Sequence, residues 1–243
     1  GARLAGGRFH RSDRKILKNA MLKAILYKEW IKSRWYLAVA FAVTCAFAGY
    51  AMLRLYRALG MMGAGHIWEV MVTRNAVFVE QMEYVPLLAG LLLAVVQFAP
   101  EMHRKCLKLT LHLPVSALRA TGTMLLFGVA ALTVVSGTSL ALVAGAASPV
   151  LPHELVANIV GTLMPWYAAG LAAYLFAAWV ILEPTWKRRT VNILMAVLLL
   201  RIFFLAPVPR AYAGFLPVLL ALTLLSASLA WLSVVRFMAG RQD

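Results

Sequence analysis

Long uncharged apolar runs alternate with short charged segments along most of the chain. Six of these runs are predicted to be membrane spans, at residues 35–53, 84–100, 120–147, 156–182, 190–208 and 213–235. A helix needs roughly 20 apolar residues to cross a bilayer, and lipid cannot hydrogen-bond an exposed backbone, so each span is expected to be helical. The pattern therefore predicts an all-α integral membrane protein with a domain of six transmembrane helices at residues 35–236.

Composition and cysteine usage agree with this pattern. The 243 residues are 63% hydrophobic and 14% charged, and the mean hydropathy is +0.80, which exceeds what a soluble core requires. The first apolar run is too long for a cleavable signal peptide, so it is expected to remain as an anchor. Cys45 and Cys106 have no companion at metal-ligand spacing, so neither a disulfide nor a metal site is predicted.

The basic residues are concentrated on one side of the predicted membrane. The net charge is +15, and with six alternating spans 19 of the 24 Lys and Arg residues fall on the side of the two termini. Positive charge accumulates in cytoplasmic loops. Both termini, including the tail at 237–243, are therefore predicted to be cytoplasmic, with the protein in the cytoplasmic (inner) membrane. Membrane lipid is the partner expected of this charge, and nucleic acid is not.

Motifs of catalysis are missing from the sequence. It contains no GxxxxGK[ST] phosphate loop, no GxSxG and no HExxH, and none of its five histidines lies in a predicted span, which disfavours buried haem. The chain is therefore predicted not to be an enzyme and to bind no cofactor. A proton-driven carrier is disfavoured, because no carboxylate or histidine lies deep in a span. A membrane-embedded enzyme is disfavoured, because no constellation of carboxylate, histidine or nucleophile lies near a span end.

A compact charged segment separates the second and third spans. Helical spacing places Met102, Cys106, Leu109 and Leu113 on one face and Glu101, Arg104, Lys105, Lys108 and His112 on the other. A strand is the alternative, since leucines alternate with polar residues over 107–113, but a lone strand would leave unpaired edges. The helix either lies at the membrane surface and only fixes topology, or forms a docking surface for a soluble partner.

The N-terminal segment, residues 1–34, is basic and precedes the first span directly. Its end is predicted to be an amphipathic elbow helix at the membrane surface, anchored by Lys28, Glu29, Trp30 and Trp35. A flexible basic tail is the alternative.

Residues 55–83 form the longest predicted extracytoplasmic segment. The stretch GMMGAGH is expected to break the chain, and an amphipathic helix is predicted over 67–84 with Ile67 and Met71 on its apolar side. This segment is either a lid or a contact for an extracytoplasmic partner.

Two features within the spans have alternative interpretations. Arg201 is the one charge inside a span, and it either reaches the membrane surface or a structural partner, or lines a translocation path. Gly137, Ala141 and Gly145 form a small-residue stripe, for which packing within the bundle is the first interpretation and a dimer interface the second.

With these parts placed, the chain resembles the membrane subunit of a type-2 ABC exporter. LYKEWIKSRWYL looks like the elbow of that family, and EMHRKCLKLTLHLPVS is similar to its pattern of a glutamate, a basic amphipathic turn and Leu-Pro-Val-Ser. The resemblance implies a coupling helix in which Glu101, Arg104, Lys105, Lys108 and His112 contact a separate cytoplasmic ABC ATPase. The family's outer re-entrant helices have little room here, because the loop between spans five and six is the short APVPRAYAG.

The function expected from this resemblance is that of a permease subunit. ATP and Mg would be bound by the partner ATPase, and a second permease chain, identical or different, would complete the translocation path. The alternative is a membrane anchor that recruits a cytoplasmic complex without transport.

Overall fold

The computed structural model of the chain describes residues 11–103, 116–206 and 210–238 and contains no strand in these ranges. The α-helices are α1 (Arg11–Met62), α2 (Ala64–Thr73), α3 (Val85–His103), α4 (Ala117–Ala147), α5 (His153–Leu182), α6 (Trp186–Arg201) and α7 (Leu216–Met238). Short 3₁₀ turns occur at Glu80–Met82 and Ile202–Phe204.

Within the described ranges, five segments are long and apolar enough to cross a membrane: Ala20–Met62, Glu80–Met102, Ala117–Ala147, His153–Leu182 and Leu216–Arg236. This confirms the prediction of a helical, multi-pass membrane protein. The predicted fifth span, 190–208, overlaps α6, which has only 16 residues. A sixth span therefore stays a prediction.

Helix α1 differs from the expected elbow followed by a separate span. It continues for 52 residues without interruption, because no proline or glycine occurs between Arg11 and Gly49 to end it. The helix stops where Gly63 adopts φ 80°, a conformation that glycine adopts without steric cost. The predicted break in GMMGAGH is thereby confirmed.

The helix after this break ends earlier than predicted. Helix α2 buries Ile67 and Met71, as expected for its apolar side, but it ends at Thr73 instead of continuing to residue 84. Asn75 has φ 51°, a left-handed conformation that asparagine tolerates better than most residues and that a helix cannot include.

Helix α5 lies at the centre of the bundle and contacts α3, α4, α6 and α7, while α1 packs against α3 and α4. The closest crossing joins α3 and α5. A Cβ atom added at Gly90 would collide with the backbone carbonyl of Gly170, and one added at Gly170 would lie 2.6 Å from the carbonyl oxygen of Pro86. Only glycine at both positions allows these two backbones to approach so closely.

The small-residue stripe of α4 does not contribute to this packing. Gly137, Ala141 and Gly145 are exposed, and a Cβ atom built at either glycine has nothing within 4 Å. The first interpretation, packing within the bundle, is therefore wrong for this chain. The dimer interpretation stays a prediction.

The helices alternate in direction, so the ion-paired and basic groups of several helices collect at one end. Lys28 contacts Glu101 while Tyr36 contacts Ala89, which makes α1 and α3 antiparallel. We call this end, which includes Lys28, Glu101, Arg119, Glu183 and Arg236, the basic end. The opposite end contains α2 and the loop after Phe204.

Candidate functional site: buried ion pairs at the basic end

Glu101, in the last turn of α3, is bound by two lysines of α1. Its Oε1 atom lies 2.8 Å from Lys28 Nζ and 2.9 Å from Lys32 Nζ. The glutamate is 2% exposed, so solvent screens the contact little on the carboxylate side. Lys28 and Lys32 are four residues apart and therefore lie on one face of α1. This contact fixes the end of α3 against α1.

A second buried carboxylate completes this cluster. Glu29 is fully buried, and Lys32 Nζ lies 3.0 Å from each of its carboxylate oxygens. The Ser33 hydroxyl donates to the backbone carbonyl of Glu29 at 2.7 Å. We call Lys28, Glu29, Lys32 and Glu101 the α1–α3 clamp. Its two positive and two negative charges balance, which is the condition under which buried charge is tolerated.

A buried polar network lies one helical turn further into the bundle. Gln97 precedes Glu101 by four residues, and its Nε2 donates to the backbone carbonyl of Met124 in α4 at 2.7 Å. The Tyr174 hydroxyl of α5 donates to Gln97 Oε1 at 2.8 Å. Gly128 makes room for this hydroxyl, because an added Cβ atom would collide with the tyrosine ring and oxygen. The network links α3, α4 and α5 one helical turn deeper in the bundle than the clamp.

A separate ion pair joins the ends of α5 and α7. Glu183 is fully buried, and its Oε2 accepts from the Ser233 hydroxyl at 2.7 Å and from Arg236 Nη1 at 3.2 Å. Arg189 Nη2 donates to the Glu183 backbone carbonyl at 2.7 Å, which fixes the turn into α6. The basic end is thus held by carboxylates at two places.

The predicted partner-contact residues divide between described and undescribed parts of the chain. Arg104, Lys105, Lys108 and His112 lie outside the described residues. Helical spacing predicts Glu101 on the charged face, together with the residues that would contact a soluble partner, and this placement is corrected. Its carboxylate is buried and faces α1, because Lys28 and Lys32 supply the charge that its burial requires. The contact with a partner protein stays a prediction.

The predicted elbow residues have different environments. Glu29 is buried in the clamp, while the Lys28 side chain is 40% exposed. Trp30 and Trp35 are exposed, and this is the position expected of tryptophans at the headgroup level of a membrane.

Arg201 lies at the last position of α6 and is exposed. The turn that follows brings Phe204 onto Tyr84, with ring centroids 5.2 Å apart, and Tyr84 immediately precedes α3. Arg201 is therefore near the opposite end of the bundle. A role in a translocation path stays a prediction.

The opposite end contains a polar pocket of about 220 Å³ between the segment after α2, helix α5 and the loop that precedes α7. Glu80, Glu83 and Arg210 bring charge to it. Arg210 has φ 58°, and its guanidinium donates to Asn158 Oδ1 at 3.3 Å. Its side chain packs on Gly161, where an added Cβ atom would collide with it. Residues of the 55–83 segment, among them Glu80 and Glu83, line this pocket. The extracytoplasmic partner of this segment stays a prediction.

Sequence reasoning missed most of the buried polar residues at the basic end. Gln97, Tyr174 and Ser233 were treated as ordinary residues of apolar spans, although Gln97 and Glu101 have the four-residue spacing of one helix face. That spacing could have indicated a buried polar contact, because polar side chains on one face of a span need hydrogen-bond partners on neighbouring helices. Their partners on other helices could not be identified from spacing alone.

The described residues contain no group of three or more His, Cys, Asp or Glu side chains that could hold a metal ion. No protein family, no curated protein and no solved structure matches the chain in a comparison of sequence and structure. The site therefore has to be interpreted from its own geometry and charge.

Proposed function

We propose that this chain is the membrane subunit of an ATP-driven transporter of the type-2 ABC exporter class. It would contain no ATPase of its own, since the sequence has no phosphate loop. A separate cytoplasmic ATPase subunit would bind ATP and Mg. A second permease chain would complete the path.

The α1–α3 clamp is the observation that carries this proposal. Glu101 is three residues before Arg104, where the charged segment 104–112 begins, and it is tied to α1 by two short ion pairs. A displacement of that segment by a partner would therefore act on α1 as well as on α3. Buried ion pairs with fixed geometry are suited to transmit such a displacement, because loss of one partner leaves an uncompensated charge.

The proposed topology has six spans with both termini cytoplasmic. Helix α6 and the following 3₁₀ turn together measure about 30 Å, at about 1.5 and 2.0 Å per residue, which is close to the thickness of the hydrocarbon core. They extend from Trp186, three residues before Arg189, which contacts Glu183, to Phe204, which stacks on Tyr84. Such a helix would take the chain from the basic end, where α5 ends, back to the side on which α5 begins. Helix α7 would then return it to the basic end, and 19 of 24 basic residues would be cytoplasmic.

Copurification from the native host tests the ATPase partner. The chain with Arg104→Glu and Lys105→Glu should insert normally but lose the ATPase subunit, because two contact charges are reversed. Lys187→Glu with Arg188→Glu is the matched control, since these two exposed cations lie at the same end of the bundle but outside the coupling segment. Equal loss of partner in both variants, or no loss in either, would contradict the docking role of the 104–112 segment.

ATP hydrolysis by the purified complex separates a transporter from a membrane anchor. For a transporter, the hydrolysis rate should depend on the membrane subunit and should fall when Glu101→Gln weakens the clamp while the complex stays assembled. For an anchor, the rate would be the same in the wild-type and Glu101→Gln complexes. A complex without any ATPase would contradict both the transporter and its mechanism.

A further inference from the structure

An apolar groove runs between α4 and α7 on the outer surface of the bundle. Its volume is about 530 Å³, which lies in the range of small-molecule sites. Leu118, Gly122 and Leu126 form one wall, Leu224 and Trp231 form the other, and Leu175 of α5 forms the floor. The groove is open on the surface that would face lipid.

The groove has the depth of one leaflet. On α4 it extends from Leu118 to Val129, which corresponds to about 16 Å of helix. Half of the hydrocarbon core is about 15 Å. The groove starts at the basic end, since Leu118 is in the first turn of α4 and Trp231 is five residues before Arg236. It therefore matches a single acyl chain that enters from the basic end.

A cation lies next to the first residue of the groove wall, at the basic end. Arg119 is exposed and follows Leu118 in the first turn of α4. It lies three residues before Gly122 and seven before Leu126, so it shares the helix face of the groove wall. Helical side chains lean toward the N-terminus of their helix, which here is the basic end. A phosphate at the mouth would meet this guanidinium and the positive end of the α4 dipole.

The shape of the groove disfavours a second protein helix as its occupant. A packed helix lies 8–10 Å from its neighbour, as is general for helix pairs, and would be expected to contact α4 and α7 over most of their length. This groove ends near Val129, in the first half of a 31-residue helix. An apolar slot of one-leaflet depth with the exposed Arg119 beside its basic end is complementary to a lipid with an anionic headgroup.

We propose that the α4–α7 groove binds one acyl chain of an anionic phospholipid, with its phosphate held by Arg119. The lipid comes from the leaflet at the basic end. This site is independent of the transport function proposed above, because it uses neither the clamp nor the 104–112 segment.

Quenching of Trp231 fluorescence tests the site. The full chain is placed in phosphatidylcholine bilayers that contain a small fraction of bromine-labelled lipid, either phosphatidylglycerol or phosphatidylcholine. Because the chain has seven tryptophans, the signal of Trp231 is the difference between wild type and Trp231→Phe. One guanidinium near an anionic surface should favour the anionic lipid about fivefold.

Two variants and their controls assign the effect to the groove. Gly122→Leu should remove the preference for the anionic lipid and lower the quenching of Trp231, because a Cβ atom added at Gly122 meets nothing within 4 Å and the new side chain can extend into the groove. Arg119→Gln should remove the fivefold preference but leave quenching by both lipids. Gly137→Leu, at another open glycine of α4, and Lys187→Gln, at another exposed cation, should leave the wild-type signal unchanged.

The outcomes are decisive in both directions. A preference for the anionic lipid that depends on Arg119 and is lost in Gly122→Leu supports the proposal. Equal quenching by both lipids in the wild type means ordinary surrounding lipid and overturns it. No quenching by either lipid means that another protein surface covers Trp231, which overturns it as well.

Discussion

Buried carboxylates account for much of the polar contact at the basic end. Glu29, Glu101 and Glu183 are each at most 2% exposed, and each is compensated by a cation or a hydroxyl from the same or a neighbouring helix. In such surroundings the loss of one partner costs more than the pair itself contributes, because the remaining charge is left unpaired. These residues are therefore sensitive positions for mutation.

Glu101→Gln should lower the free energy of unfolding of the detergent-solubilised protein by about 1–3 kcal/mol, because two lysines lose their shared carboxylate. The effect is limited because the Lys28 side chain is 40% exposed and water can solvate its charge. Thermal unfolding monitored by circular dichroism measures this. Glu80→Gln, at the exposed opposite end, serves as the control and should leave the midpoint within error. In the Lys32→Met background the loss of unfolding free energy caused by Glu101→Gln should be smaller, because the two residues interact. An equal loss in both backgrounds would contradict the clamp.

Gly128→Ala should destabilise the protein by about 1–3 kcal/mol, because its methyl group would displace Tyr174 and break the hydrogen bond to Gln97. The same change at Gly137, where space is open, should be neutral or slightly stabilising, since alanine favours helix over glycine. The comparison uses unfolding midpoints of the two variants. Equal midpoints would show that Tyr174 does not depend on the space at Gly128.

At the scale of elements, the α3–α5 crossing is the tightest contact of the bundle. Two backbones meet at Gly90 and Gly170, and no flexible side chain lies between them that could move aside. Any added atom must therefore separate the helices. The crossing also sets the position of Gln97 relative to Tyr174, one to two turns further along the same pair.

Gly90→Ala should be more damaging than Gly128→Ala, with a loss of about 3 kcal/mol or more, because a backbone carbonyl cannot rotate away as a tyrosine can. The yield of monodisperse protein in size-exclusion chromatography and the unfolding midpoint measure it. Gly145→Ala is the control, as its added methyl group meets nothing within 4 Å. A Gly90→Ala protein as stable as this control would argue against the crossing.

The sequence predicted the helical membrane elements well and their interruptions less well. Apolar runs of sufficient length identify helices because lipid leaves the backbone no alternative. The change from basic to apolar composition near residue 35 predicts a change of element, but no proline or glycine lies between Arg11 and Gly49, so α1 continues unbroken. The end of α2 was missed because a left-handed Asn75 has no strong periodic signal.

The candidate site was predictable only in part, for a different physical reason. Glu101 was identified by its charge next to a span, but its partners Lys28 and Lys32 are about seventy residues away in sequence. Which lysines approach it depends on how α1 and α3 cross, and this follows from packing of the whole bundle. Periodicity within one helix contains no such information.

At the scale of the whole molecule, the number of spans determines the side of the C-terminus. A green fluorescent protein fused after residue 243 should fluoresce in bacterial cells if six helices cross. The C-terminus is then cytoplasmic, and the fluorescent protein matures only in the cytoplasm. Alkaline phosphatase inserted after Ser148, between α4 and α5, should be active, since that enzyme requires an oxidising compartment. A dark C-terminal fusion with an active phosphatase there would mean that α6 does not cross.

The unbroken α1 has a mechanical consequence. From Lys28 to Met62 it measures about 51 Å, at about 1.5 Å per residue, and it is one continuous helix over this length. A tilt of about 5° with its pivot at Lys28 would carry Met62 by about 4 Å, by the geometry of a rigid rod of that length. A small angular change at the clamp would thus become a translation of several ångströms at the opposite end of the bundle, and Gly63, the first residue beyond the helix, would receive that motion.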